Sequence, residues 1–216
     1  MKPAVALDHL VVTAPNLKAG VQWVRDALGT TAQLGGKHPR MGTHNCLLRL
    51  GERTYLEVIA PDPNAPDPGR PRWFGLDRMD RDASPRLAAW VARTADIRES
   101  ASASTESLGA IEPMSRGELN WLITVTEDGA LPLDRIAPIL IQWQVATHPA
   151  VAMRDSGCRL VRLELHCPDA ERGRALLRSI GYAGDDVELK QQSDDRPARL
   201  VASFDTAAGK AELSSP

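Results

Sequence analysis

His9 and Glu57 are the residues of this 216-residue chain whose types and surroundings best suit chemistry. His9 lies inside the apolar run LDHLVV and Glu57 inside TYLEVIA. An imidazole and a carboxylate are groups that move protons or hold metals. A charged Glu57 among hydrocarbon neighbours needs a partner. Strand alternation lets His9 and Val11 face one side while Leu10 and Val12 face the other, and Leu56 and Val58 flank Glu57 in the same way. The competing structural roles are an ion pair of Glu57 with Arg49 across a hairpin and a hydrogen-bonded strand histidine at position 9.

His44, Asn45 and His148 are the candidates to complete a site. GTHN opens a strand-like run, so His44 and Asn45 must face opposite sides: Asn45 is the contact if the Leu47 and Arg49 side lines a cavity, His44 if the Cys46 and Leu48 side does. His148 stands in HPA, beyond the last strand-like run of the second half. Trp121 and Trp143 could form an aromatic wall, with Gln142 or Gln144 giving hydrogen bonds, although core packing explains either tryptophan as well. His38 and Pro39, in GGKHPRMG, read first as turn chemistry and second as the border of a mouth.

Other reaction classes are set aside. The chain has no G-x-S-x-G elbow, no phosphate-cradling G-x-x-x-x-G-K-[ST] and no dinucleotide G-x-G-x-x-G. Its 26 Lys and Arg are scattered and the net charge is -2, which argues against nucleic acid as a partner. The opening MKPAVALDHLVV carries Asp8 and His9 in a short apolar run, so it reads as neither signal peptide nor membrane span, and a cytoplasmic protein is the expectation. The three cysteines, Cys46, Cys158 and Cys167, form no C-x-x-C pair and read as buried free thiols.

These residues need elements to hold them, and a search for self-similarity finds one plan three times. The run AVALDHLVV leads through a turn to LKAGVQWVRDAL, where Asn16 suits an N-cap, Leu17, Val21, Val24 and Leu28 form one stripe, and Gly29 is the stop. LAAWVARTADI begins a second copy, with Asp96 as cap and Ile97, Ala101, Ser104 and Leu108 repeating the stripe up to Gly109. RLVRLELHCPD begins a third, with Asp169 as cap and Gly181 as stop. Three strand-like runs follow each helix, giving strand, helix and three strands. Between the first two copies lies a loop of roughly 25 residues rich in Pro, Asp and Arg. Within it Trp73 and Phe74 act either as a lid over a cavity or, the stronger expectation, as a plug anchoring the loop. The expected organisation is residues 1–61, loop 62–85 and residues 86–150 as a pair of copies, then residues 151–216 as the third.

The repeated plan, together with LDHLVV, GGKHPRMGTHN and YLEVIAP, resembles the glyoxalase-like branch of the vicinal oxygen chelate superfamily. The resemblance is specific over residues 5–61, looser through residues 139–150, and one of plan alone over residues 158–214. It implies an α+β fold of repeated βαβββ modules whose curved, mixed or antiparallel sheets form half-barrels, with helices on the outer face. It also implies a divalent metal held by side chains of the first and last strands of a module. His9 and Glu57 match those positions in copy one, and their donor types suit Zn, Fe, Mn, Ni or Co. Copy two departs from the pattern, with Ala89 in place of His9 and Gln142 or Trp143 in place of Glu57. Copy three offers Arg162 and Glu212, which read as a cross-strand ion pair.

Two functional readings follow. One is a metal-dependent lyase, isomerase or dioxygenase acting on a substrate with vicinal oxygens, the metal serving as Lewis acid and Glu57 or His148 moving protons. The other is a metal-free protein that sequesters a small molecule, which Ala89 favours. Because family modules work in pairs, a third copy is expected to pair with its equivalent in a homodimer or to cover an edge of the first pair.

Overall fold

A computed structural model of the protein describes residues 4–215. The first copy starts with strand β1 (Ala6–Thr13) and helix α1 (Leu17–Leu28). Asn16 caps α1 by accepting from the Ala19 N–H at 2.9 Å, and Gly29, at φ 67°, ends it in a left-handed turn that L side chains avoid. Gly20 lets α1 lie against the sheet, since a Cβ there would stand 2.5 Å from Val58 Cγ1. Strands β2 (Gln33–His38), β3 (Thr43–Arg49) and β4 (Tyr55–Pro61) complete the copy.

The second copy is β5 (Arg86–Arg93), α2 (Ile97–Ala103), β6 (Ala110–Arg116), β7 (Leu119–Val125) and β8 (Ile139–Trp143). Asp96 caps α2 as expected, but the helix stops at Ala103 and does not run on to Leu108. In the following Ser-Thr-Glu-Ser stretch the Ser104 hydroxyl bonds the Glu106 backbone, a local pairing that competes with helix.

These eight strands make one mixed sheet in the order β2-β3-β4-β1-β5-β8-β7-β6. Within each half the first strand runs parallel to the last, and the halves join through antiparallel β1 and β5. The sheet curls until its two edges meet. Arg40, beside β2, donates to the Pro113 carbonyl of β6 at 3.0 Å and pairs with Glu112 at 2.6 Å. The helices lie on the outer face, and the inner face encloses a hollow lined by residues of both halves.

The third copy is β9 (Arg159–Cys167), α3 (Ala170–Ile180), β10 (Val187–Gln191), β11 (Arg199–Thr206) and β12 (Gly209–Ser214). Its elements repeat the plan, but its strands pair in the order β10-β9-β11-β12, so the first strand is not beside the last. The expected Arg162–Glu212 pair is therefore not formed. Both residues are in register with Ser203, from opposite sides, and Arg162 pairs instead with Glu188 of β10 at 2.5 Å. Leu163, Leu165, Leu200, Ala202, Phe204 and Leu213 of this sheet share one core with Leu10, Val12, Leu56 and Trp90 of the outer face of the large sheet. The third copy thus covers a face of the first pair rather than an edge. Of the two expected places for the third copy, a second chain or the first pair, this is packing on the first pair, on its outer face.

Candidate functional site

The hollow is built from strand residues spaced two apart. His9 on β1, Tyr55 and Glu57 on β4, and Asn45 and Leu47 on β3 line one side. The ladder registers explain why they meet: Val11 stands opposite Glu57, His9 opposite Tyr55, and Leu47 opposite Glu57. Trp121, Ile123, Ile141 and Trp143 from β7 and β8 form the facing wall, and Trp73 and Phe74 of the long loop close one end. Both loop residues are buried in the apolar cluster of the inner face and also line the hollow, so they anchor the loop and border the cavity at once.

Five expected residues come together here: His9, Asn45, Glu57, Trp121 and Trp143. His44 does not, because the Leu47 side of β3 faces inward; its ring lies near Lys37 and Asp62 and its Nε2 is buried without a partner. Gln142 also faces away. Its Oε1 accepts from the Ile97 N–H at 3.0 Å, tying down the first turn of α2. Neither side chain can contact a ligand in the hollow. His148 is buried behind the lining, where it bonds Asp8 and its ring packs near Tyr55 and Trp143. Arg49 is not the partner of Glu57, as it bonds the carbonyls of Gly51 and Met153.

Asp8 is the residue that strand alternation conceals. The β1–β5 register slips between Leu7 and His9, a bulge that lets Asp8 and His9 act on the same side. Asp8 is fully buried and takes three donors: His9 Nδ1 at 2.7 Å, His148 Nε2 at 2.9 Å and Trp143 Nε1 at 3.0 Å. Burial alone would raise its carboxyl, but the hydrogen bonds and charges of His148 and His9 outweigh that and hold it below the usual carboxylate range. The Ala150 N–H donates to His148 Nδ1 at 3.2 Å, so His148 carries its proton on Nε2. By the same logic an ionised Asp8 keeps the His9 proton on Nδ1 and leaves Nε2 as the nitrogen presented to the hollow.

His9 Nε2 stands 3.6 Å from Glu57 Oε2. The other Glu57 oxygen accepts from Asn45 Nδ2 at 2.5 Å, and Asn45 Oδ1 accepts from the Gly36 N–H at 2.7 Å. Tyr55 stacks on His9 with ring centroids 4.5 Å apart. Its burial and the nearby Asp8 and Glu57 charges raise its phenol well above the ordinary value, so it stays neutral. From the far edge of the sheet Arg116 reaches across to Asn45 Oδ1 at 3.3 Å and approaches His38 Nε2 at 3.5 Å. His38 is buried, and burial pushes its imidazole down to about 4; Glu57 opposes that shift, and Arg116 and His9 add to it. Asp8, Tyr55 and Arg116 were not anticipated. Asp8 had a signal, a charge beside His9 in an apolar run, whereas Arg116 at a strand end reads as a solvated residue.

The donor set is too small for a divalent cation. A separation of 3.6 Å between His9 Nε2 and Glu57 Oε2 would suit two ligands, but a catalytic site of this kind takes about three. The facing wall adds only apolar side chains and indoles, and Arg116 already brings positive charge. Among the described residues no three His, Cys, Asp or Glu converge as metal ligands. His9 and Glu57 meet as expected, yet alone they do not make a metal centre.

A hypothetical protein of Staphylococcus aureus is similar over 97% of this chain and 84% of its own, at 11% identity and a TM-score of 0.57. An Mn(II)-bound glyoxalase from Novosphingobium aromaticivorans is similar over 100% of this chain and 83% of its own, at 10% identity and a TM-score of 0.52. A Streptomyces coelicolor methylmalonyl-CoA epimerase is similar over 64% of this chain and 97% of its own, at 14% identity and a TM-score of 0.43. No curated protein matches in sequence. The profile of the family described as "Glyoxalase-like domain" matches residues 7–181, most of the chain. The chain belongs to the glyoxalase-like domain family of the vicinal oxygen chelate superfamily.

Proposed function

We propose that the hollow holds a small molecule with neighbouring oxygens and moves a proton on it, as in an isomerase or lyase, with His9 and Glu57 as the acid–base couple. The observation that carries this reading is the convergence of His9 Nε2 and Glu57 Oε2 at 3.6 Å, each braced from behind, by Asp8 and by Asn45. At that distance the two groups are too far apart to hydrogen-bond each other, and each is free to reach a substrate proton. Glu57 takes a proton from a carbon beside a carbonyl, the imidazolium form of His9, protonated on Nε2 as well as on Nδ1, gives its Nε2 proton to the carbonyl oxygen, and return of a proton from Glu57 to carbon and of the oxygen's proton to Nε2 completes the cycle. Buried surroundings strengthen both interactions.

The test is hydrogen–deuterium exchange at carbon, followed by NMR in D₂O, over a panel of small 2-oxo and 2-hydroxy compounds with chelator-treated protein. The expected result is exchange that survives chelation and falls by about 100-fold or more in Glu57→Gln, the usual scale of general acid–base catalysis. Failure of every panel member to exchange would refute the catalytic part. Exchange that appears only on adding Mn or another divalent ion would restore the metal-dependent reading, which the Mn(II)-bound glyoxalase among the similar structures supports. A second reading, binding without turnover, is supported by the aromatic lining of Tyr55, Trp73, Trp121 and Trp143.

A further inference from the structure

The positive group facing this hollow is Arg116, which forms no ion pair among the described residues. Arg116 comes from the edge strand of copy two, packs its Cδ over Gly36, and turns its guanidinium toward Asn45 and His38. Its contacts there are an amide oxygen and an imidazole nitrogen, and among the described residues it makes no ion pair with a carboxylate. Every neighbouring arginine of this end of the sheet does: Arg40 and Arg70 share Glu112, and Arg72 holds Asp77. A second donor in the same lining is also unused, since the buried Trp73 indole N–H finds no acceptor. An unpaired guanidinium and an orphaned N–H bordering one hollow call for an acceptor that the chain does not supply.

We infer that Arg116 binds the carboxylate of the ligand, so that the molecules accepted by this hollow are small monocarboxylates; the inference rests on the proposed reading of the hollow as a ligand site and names the charged end of that ligand. The guanidinium presents a planar fork that fits a carboxylate. Size and charge set the rest. The cavity volume of the hollow is about 30 Å³. That admits a ligand of few heavy atoms. The buried Glu57 lies in the same lining, so a single negative charge can be met by Arg116 while the second charge of a phosphate or a dicarboxylate would stand against Glu57. A carboxylate on Arg116 leaves the adjoining carbon and its oxygen to lie toward Glu57 and His9.

The experiment titrates the full-length protein with pyruvate, lactate, 2-oxobutyrate and glycolate, and with their uncharged primary amides, reading tryptophan fluorescence and confirming by calorimetry. The expected result is that carboxylates bind about 10- to 100-fold more tightly than the matching amides, and that Arg116→Gln removes the difference while circular dichroism is unchanged. If Arg116→Gln does not fold, Arg116→Lys is read instead, and it should keep the preference at about 3- to 10-fold weaker affinity because it keeps the charge and loses the fork. Equal binding of acids and amides, a preference that survives in Arg116→Gln, an unchanged affinity in Arg116→Lys, or no binding of any acid at 10 mM overturns the inference. Arg116-dependent carboxylate binding without carbon exchange leaves this inference standing and overturns the proton-transfer reading alone.

Discussion

Acidification should loosen this protein through His38, starting at a higher pH than the carboxylates. His38 titrates at about 4 when folded against 6.5 for a free imidazole, because its ring is buried and stands near Arg116. Its folded value is lowered, so between those two values the unfolded chain binds a proton that the folded chain refuses, and stability falls as pH falls. At about 1.4 kcal/mol for each tenfold change in proton affinity, the interval removes about 3 kcal/mol. That is a large share of the roughly 5–15 kcal/mol that holds a typical domain together. Urea denaturation of wild type and His38→Gln at intervals of half a pH unit, from about pH 7 to pH 4, measures it. The wild-type advantage over the variant should shrink by about 3 kcal/mol across the series, and the His38 ring resonances should titrate with a midpoint near 4. His44 is present in both proteins and cancels in the difference. Asp8 is held below its ordinary 3.8, so its stabilisation is lost as pH falls through and below that value; it too is present in both proteins and cancels in the difference. Parallel curves for the two proteins, or a His38 midpoint near 6.5, would refute the burial argument.

Two further predictions concern packing. Asp8→Asn removes a buried charge that satisfies His9, His148 and Trp143 together; it should cost about 3 kcal/mol at neutral pH in urea denaturation, and a wild-type midpoint would show that the three donors do not need the charge. Gly20→Ala should destabilise by about 1–3 kcal/mol despite the better helix propensity of alanine, because its methyl would press on Val58 Cγ1 and on the Ala14 Cβ, 2.8 Å away. A rise in melting temperature would contradict that contact.

The first copy was legible because its local signals agree with its packing. Asn16, Gly29 and the Leu17-to-Leu28 stripe define α1, and the alternation around His9 and Glu57 places both on the inner face. What stayed hidden depends on pairing between strands. The bulge at Asp8 exists only against β5, and no reading of LDHLVV alone could show that Asp8 turns to the side of His9. The third copy repeats the order of elements but not their neighbours, since the same strand–helix–strand sequence can place its second strand beside the first, as β10 lies beside β9. Arg116 is 71 residues from Asn45 and joins it only when the sheet has curled. The choice between His44 and Asn45 was open for the same reason, because alternation fixes that they differ and not which one is inside.

The partners of Asp8 come from both halves of the large sheet. His9 and Asp8 belong to the first 60 residues, while Trp143 and His148 arrive from the far end of the second half. A nascent or severed first half would carry the imidazole with a carboxylate still seeking two of its three donors. The brace behind His9 is therefore complete only where the two halves meet, because Trp143 at the end of β8 and His148 just beyond it supply two of the three donors to Asp8.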